Sequence, residues 1–374
     1  MLSPQNFIRA LKANGISYFT GVPDSLLKNI CAYIADTTSP ENNIIAANEG
    51  AAIGLATGYY LSTGKIPMVY MQNSGLGNAI NPLLSLVDKE VYNIPVILLI
   101  GWRGEPGVKD EPQHIKQGKV TIPLLNSMGI EHAVLAKEQK EFEKQLQHAI
   151  NHIHDTHECF AFVVQKETFE NYSLSNNINS PFPLSREEAI QSVIQSIEEN
   201  DIVVSTTGMI SRELFECREA LEQGHKKDFL TVGSMGHASQ IALGIALQKK
   251  DRKVYCLDGD GAILMHMGAL ATIGTLKPNN YKHILFNNGA HDSVGGQPTV
   301  GLQIDIPAIA LACGYQAVYS VEDEKQLKEV LHHLHHIKGP VLLEIKIKKG
   351  ARKNLGRPTT TPIENKGTFM EFLE

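Results

Sequence analysis

The chain has 374 residues, of which 43% are hydrophobic, 20% charged and 6% aromatic, with a formal net charge of −6. That length is roughly 2.5 times a ~150-residue domain, so two domains are expected; the composition excludes a disordered chain, a collagen-like polymer and a cysteine-stapled mini-protein. The acidic balance argues against nucleic acid or an anionic membrane as partner. In chain order, Met1-Leu2-Ser3-Pro4-Gln5 carries no basic stretch leading into an apolar core, and no later apolar run reaches ~18 residues. A cytoplasmic protein is expected, and five scattered cysteines never spaced as CxxC agree with reduced thiols better than with disulfides or a zinc site.

A helical pattern over 5–13 comes first. Short apolar runs of strand length follow at 16–20, 43–48, 67–72, 94–101, 131–135 and 160–165, with helical patterns at 49–62 and 138–153. Residues 171–183 are rich in Ser, Asn and Pro and read as a linker. Beyond it, strand runs recur at 201–206, 229–232, 253–257, 283–286, 315–319 and 340–347, with helical patterns at 186–198, 237–249, 262–276 and 323–337. Strands alternating with helices predict an α/β protein with two doubly wound, largely parallel sheets. The runs are rich in Val and Ile with little polar alternation, as expected where helices cover both faces. Leu2-Ser3 and Leu184-Ser185 each open a helix, a faint echo between the halves.

The sharpest chemical signal lies in the second half. Strand 253–257 runs into Asp258-Gly259-Asp260-Gly261, a helix follows from Ala262, and strand 283–286 ends in Asn287-Asn288. In a right-handed βαβ unit both strands point the same way, which brings Asp260 and Asn288 to one crevice. An Asp oxygen and an Asn carbonyl are hard ligands suited to Mg²⁺ that keeps phosphate oxygens as its other partners. Gly259 and Gly261 allow a tight turn, and the helix start offers N–H groups to a phosphate. Taken alone, Gly-Asp-Gly is equally compatible with an ordinary βα turn.

In the first half, Glu49 stands where strand 43–48 enters a small-residue helix, a place where a helix dipole alone would favour an acid. Gly21-Val22-Pro23-Asp24-Ser25 follows the first strand and Asn73-Ser74-Gly75 the third. A long polar loop over 102–119 carries Trp102, Arg103, Lys109, Gln113 and His114, the last a candidate proton relay. Residues 346–366 hold seven basic side chains against the single acid Glu364. They read either as a solvated, partly mobile tail or as an anion-attracting lid in which Arg forms paired hydrogen bonds to a phosphonate or sulfonate.

The Gly-Asp-Gly turn followed at this spacing by Asn-Asn resembles the signature of the thiamine diphosphate decarboxylase family, and the resemblance extends over nearly the whole chain. It implies a pyrimidine-binding domain over 1–170 and a diphosphate-binding domain over 184–374 with a basic C-terminal tail; residues 171–183 are too few for a central third domain. Thiamine diphosphate and Mg²⁺ are the implied cofactors, with Asp260, Asn288 and the backbone carbonyl of Ala290 on the metal. Gly208, Gly233, Met235, Gly259, Gly261 and Ala262 would line the cofactor, Met235 as a wedge between its rings. Relatives often carry Thr or Ser just beyond Gly208, where this chain has Met209. Glu49 would hydrogen-bond a pyrimidine nitrogen and so promote the proton transfer that activates the coenzyme.

Asp24 and His114 are the other implied catalytic groups, with Ser25, Asn73, Gln113, Lys353 and Arg357 facing substrate and Arg103 or Lys109 assisting. Asp258 and His291 are further site candidates, ahead of Asp292. The implied reaction converts 3-phosphonopyruvate to phosphonoacetaldehyde and CO₂ on the way to 2-aminoethylphosphonate. Decarboxylation of 3-sulfopyruvate and an acetolactate-type carboligation are the alternatives, and a non-catalytic cofactor-binding subunit is a third that Glu49 speaks against. The implied partners are a small anionic 2-keto acid and further copies of the chain. In such a homo-oligomer, a dimer or larger, Glu49 of one subunit meets Asp260 and Asn288 of another.

Overall fold

The computed structural model describes residues 1–175 and 180–374, so residues 176–179 of the expected linker lie outside the described residues. The chain divides into two compact units, Met1–Asn177 and Ile178–Glu374. The first contains α1 (Pro4–Ala13), β1 (Phe19–Gly21), α2 (Lys28–Thr37), β2 (Asn43–Ile45), α3 (Glu49–Thr63) and β3 (Met68–Gln72). It continues through α4 (Leu76–Ser85), β4 (Ile97–Gly101), α5 (Pro112–Ser127), β5 (Glu131–Val134), α6 (Gln139–Thr156) and β6 (Phe160–Val164).

The second unit begins with α7 (Arg186–Ser196), β7 (Ile202–Ser205), α8 (Met209–Ala220), β8 (Asp228–Leu230), α9 (Ala238–Gln248) and β9 (Val254–Gly259). Next come α10 (Asp260–Met265), α11 (Ala269–Leu276), β10 (Tyr281–Asn287) and the short pair β11 (Ala290–His291) and β12 (Gln297–Pro298). The chain closes with α12 (Ile306–Cys313), β13 (Ala317–Val321), α13 (Glu324–Leu334), β14 (Val341–Lys346) and α14 (Pro362–Leu373).

Each unit holds one six-stranded sheet, ordered β2-β1-β3-β4-β6-β5 in the first and β13-β14-β10-β9-β7-β8 in the second. All the pairings within these sheets are parallel. With the short pair β11 and β12 left out of the numbering, the second order read from the opposite edge is the same as the first. The faint sequence echo is thus a full repeat of topology. Apolar clusters flank each sheet on both faces, around Phe7, Phe142 and Phe162 on one side and Ile53, Leu83 and Leu125 on the other in the first unit. The second unit repeats this with clusters around Leu214 and Leu331 and around Ala242 and Ile273. Burial of each such large aliphatic side chain contributes about 1.5–3 kcal/mol, which explains why the strands read as unbroken apolar runs.

In a sheet of this order the chain direction reverses beside the first strand, leaving a crevice between the first and third strands at their carboxyl ends. Here those gaps open between β1 and β3 and between β7 and β9. The chain segments leaving these strands carry the Gly21–Ser25, Asn73–Gly75, Thr206–Gly208 and Gly259–Gly261 sequences.

Three expectations are corrected. The polar loop over 102–119 ends at Glu111, because Pro112 opens α5. Its polar face and the internal Pro123 disguised the helix, yet Pro at a first helical position is favourable. The helix expected over 262–276 is two helices, broken at His266–Gly268. The C-terminal segment is not a mobile tail: Leu355 is buried, and Thr361 and Glu364 form a reciprocal capping box that starts α14, whose Phe369 joins the core.

Candidate active site

In the second unit, β9 and β10 are adjacent and in register up to Gly259 opposite Phe286, which sets Asp260 and Asn288 side by side. Asp260 begins α10 and is only 3% exposed. Its carboxylate accepts from the Thr299 hydroxyl and from the backbone N–H groups of Asn288 and of Asp260 itself. Burial nevertheless pushes its pKa up to about 6, and Asp292 nearby adds to the rise. No ion pair to Asp260 occurs among the described residues, so this is a buried acid short of positive charge.

Asn288 presents Oδ1, which accepts from Ala290 N at 3.0 Å, while its Nδ2 donates to Asp292 at 2.6 Å. Asp292 is itself held by Arg186 Nη1 at 3.1 Å and Gly350 N at 2.9 Å. Ala290 lies opposite Pro298, which has no N–H to give, and the local ladder bond runs instead from Thr299 N to the Gly289 carbonyl. The Ala290 carbonyl is therefore not taken up by that partner. Asp260, Asn288 Oδ1 and the Ala290 carbonyl form an all-oxygen set of the kind that Mg²⁺ takes.

The turn around Gly261 explains its glycine. A Cβ there would meet the His291 ring at 3.0 Å and the Met235 methyl at 3.3 Å. Met235, His291 and the Gly-Asp-Gly turn are thus in contact, and burial lowers the His291 pKa to about 4. Gly236 likewise leans on the α10 start, where a Cβ would meet the Ala262 carbonyl at 3.0 Å. The loop 233–236 therefore rests on Gly261–Ala262.

Across the switch point, Gly208 opens α8 with φ of 97°. The Thr206 and Thr231 hydroxyls are buried there with no partner among the described residues. A helix start, two unpartnered hydroxyls and a cation-poor carboxylate fit a diphosphate bridged to a divalent ion.

Asp258 lies away from this cluster. Fully buried, it faces His283 Nε2 at 3.3 Å, and His283 Nδ1 faces Tyr315 Oη at 3.1 Å, a hydrogen-bonded core. Of the basic tail, Lys346 pairs with Glu322 and Arg352 with Glu187 and Glu216, so these charges are satisfied. Gly356 N and the carbonyls of Leu355 and Gly356 bind Glu216 and Arg212 of α8. Lys353 and Arg357, on this anchored stretch, are exposed.

In the first unit, Asn48 caps α3 by accepting from Ala51 N at 2.9 Å, which sets Glu49 in the first turn. Glu49 is 5% exposed, and Asn78 of α4 donates to its Oε2 at 2.7 Å. Gly75 is required for this approach, since a Cβ there would lie 2.5 Å from Glu49 Cγ.

Asp24 is fully buried, with Oδ2 accepting from Leu26 N (2.8 Å) and Leu27 N (3.3 Å) and Oδ1 from Gln72 Nε2 (2.6 Å). The Ser25 hydroxyl accepts from Arg103 Nη1 at 2.7 Å. Asn73 donates to the Arg103 carbonyl and to Thr121. Arg103 also clasps Asp110, which faces His114 Nδ1 at 2.9 Å. Gln113 Oε1 is buried without a partner among the described residues, whereas Lys109 is exposed.

Thr299, Asn78, Gln72 and Asp110 were missed by the sequence reading. Each is a polar residue whose partner is fixed only by folding. Asp110 alone left a trace: acids just before a Pro-opened helix mark a helix start.

Residues 4–122 match the thiamine pyrophosphate enzyme N-terminal TPP binding domain, and residues 206–345 match the C-terminal TPP binding domain. The chain is 31% identical to a phosphonopyruvate decarboxylase of Streptomyces viridochromogenes, with 100% of this chain and 95% of that one covered. A phosphonopyruvate decarboxylase of Streptomyces hygroscopicus is 32% identical, with coverage of 100% and 94%. A sulfopyruvate decarboxylase of Methanosarcina acetivorans is 29% identical, with coverage of 99% and 97%.

Proposed function

The chain belongs to the thiamine pyrophosphate enzymes, and from that membership we propose that it decarboxylates 3-phosphonopyruvate to phosphonoacetaldehyde and CO₂. The observation that carries the reading is Asp260, a buried carboxylate without a cation, set beside Asn288 at the switch-point crevice. Identity of 31% and 32% to two phosphonopyruvate decarboxylases, against 29% to a sulfopyruvate decarboxylase over a similar length, favours phosphonate over sulfonate. Bound thiamine diphosphate supplies the nucleophilic carbon and the electron sink for carboxylate loss.

The residues of this chain hold and steer. Asp260, Asn288 and the Ala290 carbonyl would hold Mg²⁺, while Thr299 fixes Asp260. Gly208 and the first α8 amides would hold the diphosphate, and Met235, which rests on Gly261, would support the ring system together with Gly233, Gly259 and Ala262. Glu49, steadied by Asn78, would hold a proton toward a pyrimidine nitrogen of the bound coenzyme and so favour its activation. His114 moves a proton at the substrate, beside Ser25, Asn73 and Gln113. Asp24, with both oxygens engaged, acts by shaping the 21–25 loop.

Lys353 and Arg357 attract the phosphonate. Sites completed by Glu49 from a second copy make the working unit a homo-oligomer. Five free thiols accord with the reducing cytoplasm, and no helix among the described residues is long and apolar enough to cross a membrane.

The test is CO₂ release from phosphonopyruvate, sulfopyruvate and pyruvate by purified protein with thiamine diphosphate and Mg²⁺. Phosphonopyruvate should give the highest kcat/KM and one aldehyde per CO₂. A preference for sulfopyruvate, or acetolactate formed from pyruvate, overturns the assignment.

A further inference from the structure

Asp110 lies on the segment between β4 and α5, and its carboxylate gathers donors from every side. Oδ2 accepts from Arg103 Nε and from Gly104 N, both at 2.8 Å. Oδ1 accepts from Arg103 Nη2, from Glu111 N at 2.8 Å and from His114 Nδ1 at 2.9 Å. Burial opposes its ionisation, but the hydrogen bonds from Arg103, His114, Glu111 and Gly104 outweigh that and hold the carboxyl well below the usual carboxylate range.

An ionised carboxylate only accepts, so His114 Nδ1 must carry a proton; of the two neutral tautomers, only the one with its lone pair on Nε2 fits. The Arg103 guanidinium only donates. Its Nη1 bond to Ser25 Oγ at 2.7 Å therefore leaves the Ser25 O–H to point elsewhere. The backbone of Arg103 is in turn locked to Asn73, whose Oδ1 accepts from Arg103 N at 3.2 Å.

We propose that Asp110 is the positioning residue of the substrate pocket, fixing His114 as its Nδ1–H tautomer and holding Arg103 against Ser25 and Asn73. It acts through these groups and touches no substrate. The inference rests on the decarboxylase reading for what His114 acts upon, but the tautomer is a property of the protein alone. Asn is no substitute at this position. Each oxygen of Asp110 faces at least two donors, so an amide NH₂ on either side meets donors that it cannot bond.

The test compares wild type, D110N, H114Q and the double variant in phosphonopyruvate decarboxylation at saturating thiamine diphosphate and Mg²⁺, together with ¹⁵N-histidine spectra of the wild type. D110N should lower kcat by at least about tenfold, as loss of a partner that orients a functional histidine does, without weakening thiamine diphosphate binding by calorimetry. In the H114Q background the same change should cost severalfold less than in wild type, because the part of its effect carried by His114 is already gone and only the part carried by Arg103 remains. The His114 spectrum, assigned by its absence from H114Q, should show Nδ1 protonated.

Equal D110N effects in both backgrounds, or a neutral His114 ring protonated at Nε2 and not at Nδ1, overturn the inference. If D110N does not fold, the wild-type spectrum decides alone. A wild type that releases no CO₂ from any 2-keto acid sinks the decarboxylase reading while leaving the tautomer to be read.

Discussion

Replacing Asp260 by Asn tests whether the second unit holds a buried negative charge awaiting a cation. The side chain is 3% exposed, and burial pushes its pKa to about 6. Against an unfolded-state value near 3.9, the gap of roughly two units corresponds to about 3 kcal/mol. The folded pKa is raised, so the folded state holds the proton more tightly than the unfolded one. Below about pH 4 both states are protonated and nothing is lost. Between about pH 4 and 6 the unfolded chain ionises first and stability falls as pH rises; above about pH 6 the full deficit of about 3 kcal/mol is present.

Asn carries no charge. Its Oδ1 can accept from the Asn288 N–H and its Nδ2 can donate to the Thr299 oxygen. Chelator-treated D260N should therefore be more stable than chelator-treated wild type by up to about 3 kcal/mol at pH 7.5, with the difference vanishing near pH 4. Mg²⁺ and thiamine diphosphate at a thousand times their Kd should reverse the order, since such ligand stabilises wild type by about 4.1 kcal/mol and D260N should bind little. Urea midpoints by circular dichroism across this pH range read both effects. A variant no more stable than wild type at pH 7.5, or an advantage that persists unchanged at pH 4, refutes the reasoning.

Two further outcomes follow from the same geometry. Glu49→Gln should lower kcat by at least about a hundredfold, as loss of a proton-transferring group does, while calorimetry still detects thiamine diphosphate; near-normal turnover removes Glu49 from the mechanism. If sites are shared between copies, mixing E49Q with D260N under subunit exchange should restore activity that neither has alone, and no recovery argues for sites within one chain. The Arg218–Asp228 pair has both side chains fully buried, with Nε–Oδ2 at 2.8 Å. Asp228→Asn should strand a buried guanidinium charge and cost about 3–5 kcal/mol in urea denaturation; a loss below about 1 kcal/mol would mean that water or Gln223 compensates the charge.

Both sheets were legible because parallel strands covered on two faces leave apolar runs, and the runs at 94–101, 160–165 and 253–257 contain β4, β6 and most of β9. The Asp260–Asn288 neighbourhood was legible because a βαβ unit has one hand. Local turn chemistry does not reveal long-range pairing, however. Thr299 reaches Asp260 across 39 residues, and Arg186 binds Glu213 and Asp292 from 27 and 106 residues away. The α5 start was hidden for a different reason: Gln113, Lys116, Gln117 and Lys119 give its first turns a polar surface, and the Gly118 packing that buries it against Gly104 shows no periodicity.

Three acids in this protein separate by what surrounds them, and the separation indicates which one takes a metal. Asp110 faces five N–H donors, two of them on the Arg103 guanidinium, and is held ionised as a fixed acceptor with no need of a further cation. Asp292 accepts from Arg186, Gly350 N and Asn288, so its charge is already matched and its work is to aim the Asn288 amide. Asp260 is more deeply buried than either and receives only a hydroxyl and backbone N–H groups, and its pKa rises where that of Asp110 falls. A buried carboxylate in that state either keeps its proton or finds a cation. Asp260 stands between Asn288 Oδ1 and an α-helix start, so a divalent ion carrying phosphate oxygens resolves the imbalance with charge on both sides. Arg186 cannot supply that charge, because Glu213 and Asp292 already hold its guanidinium.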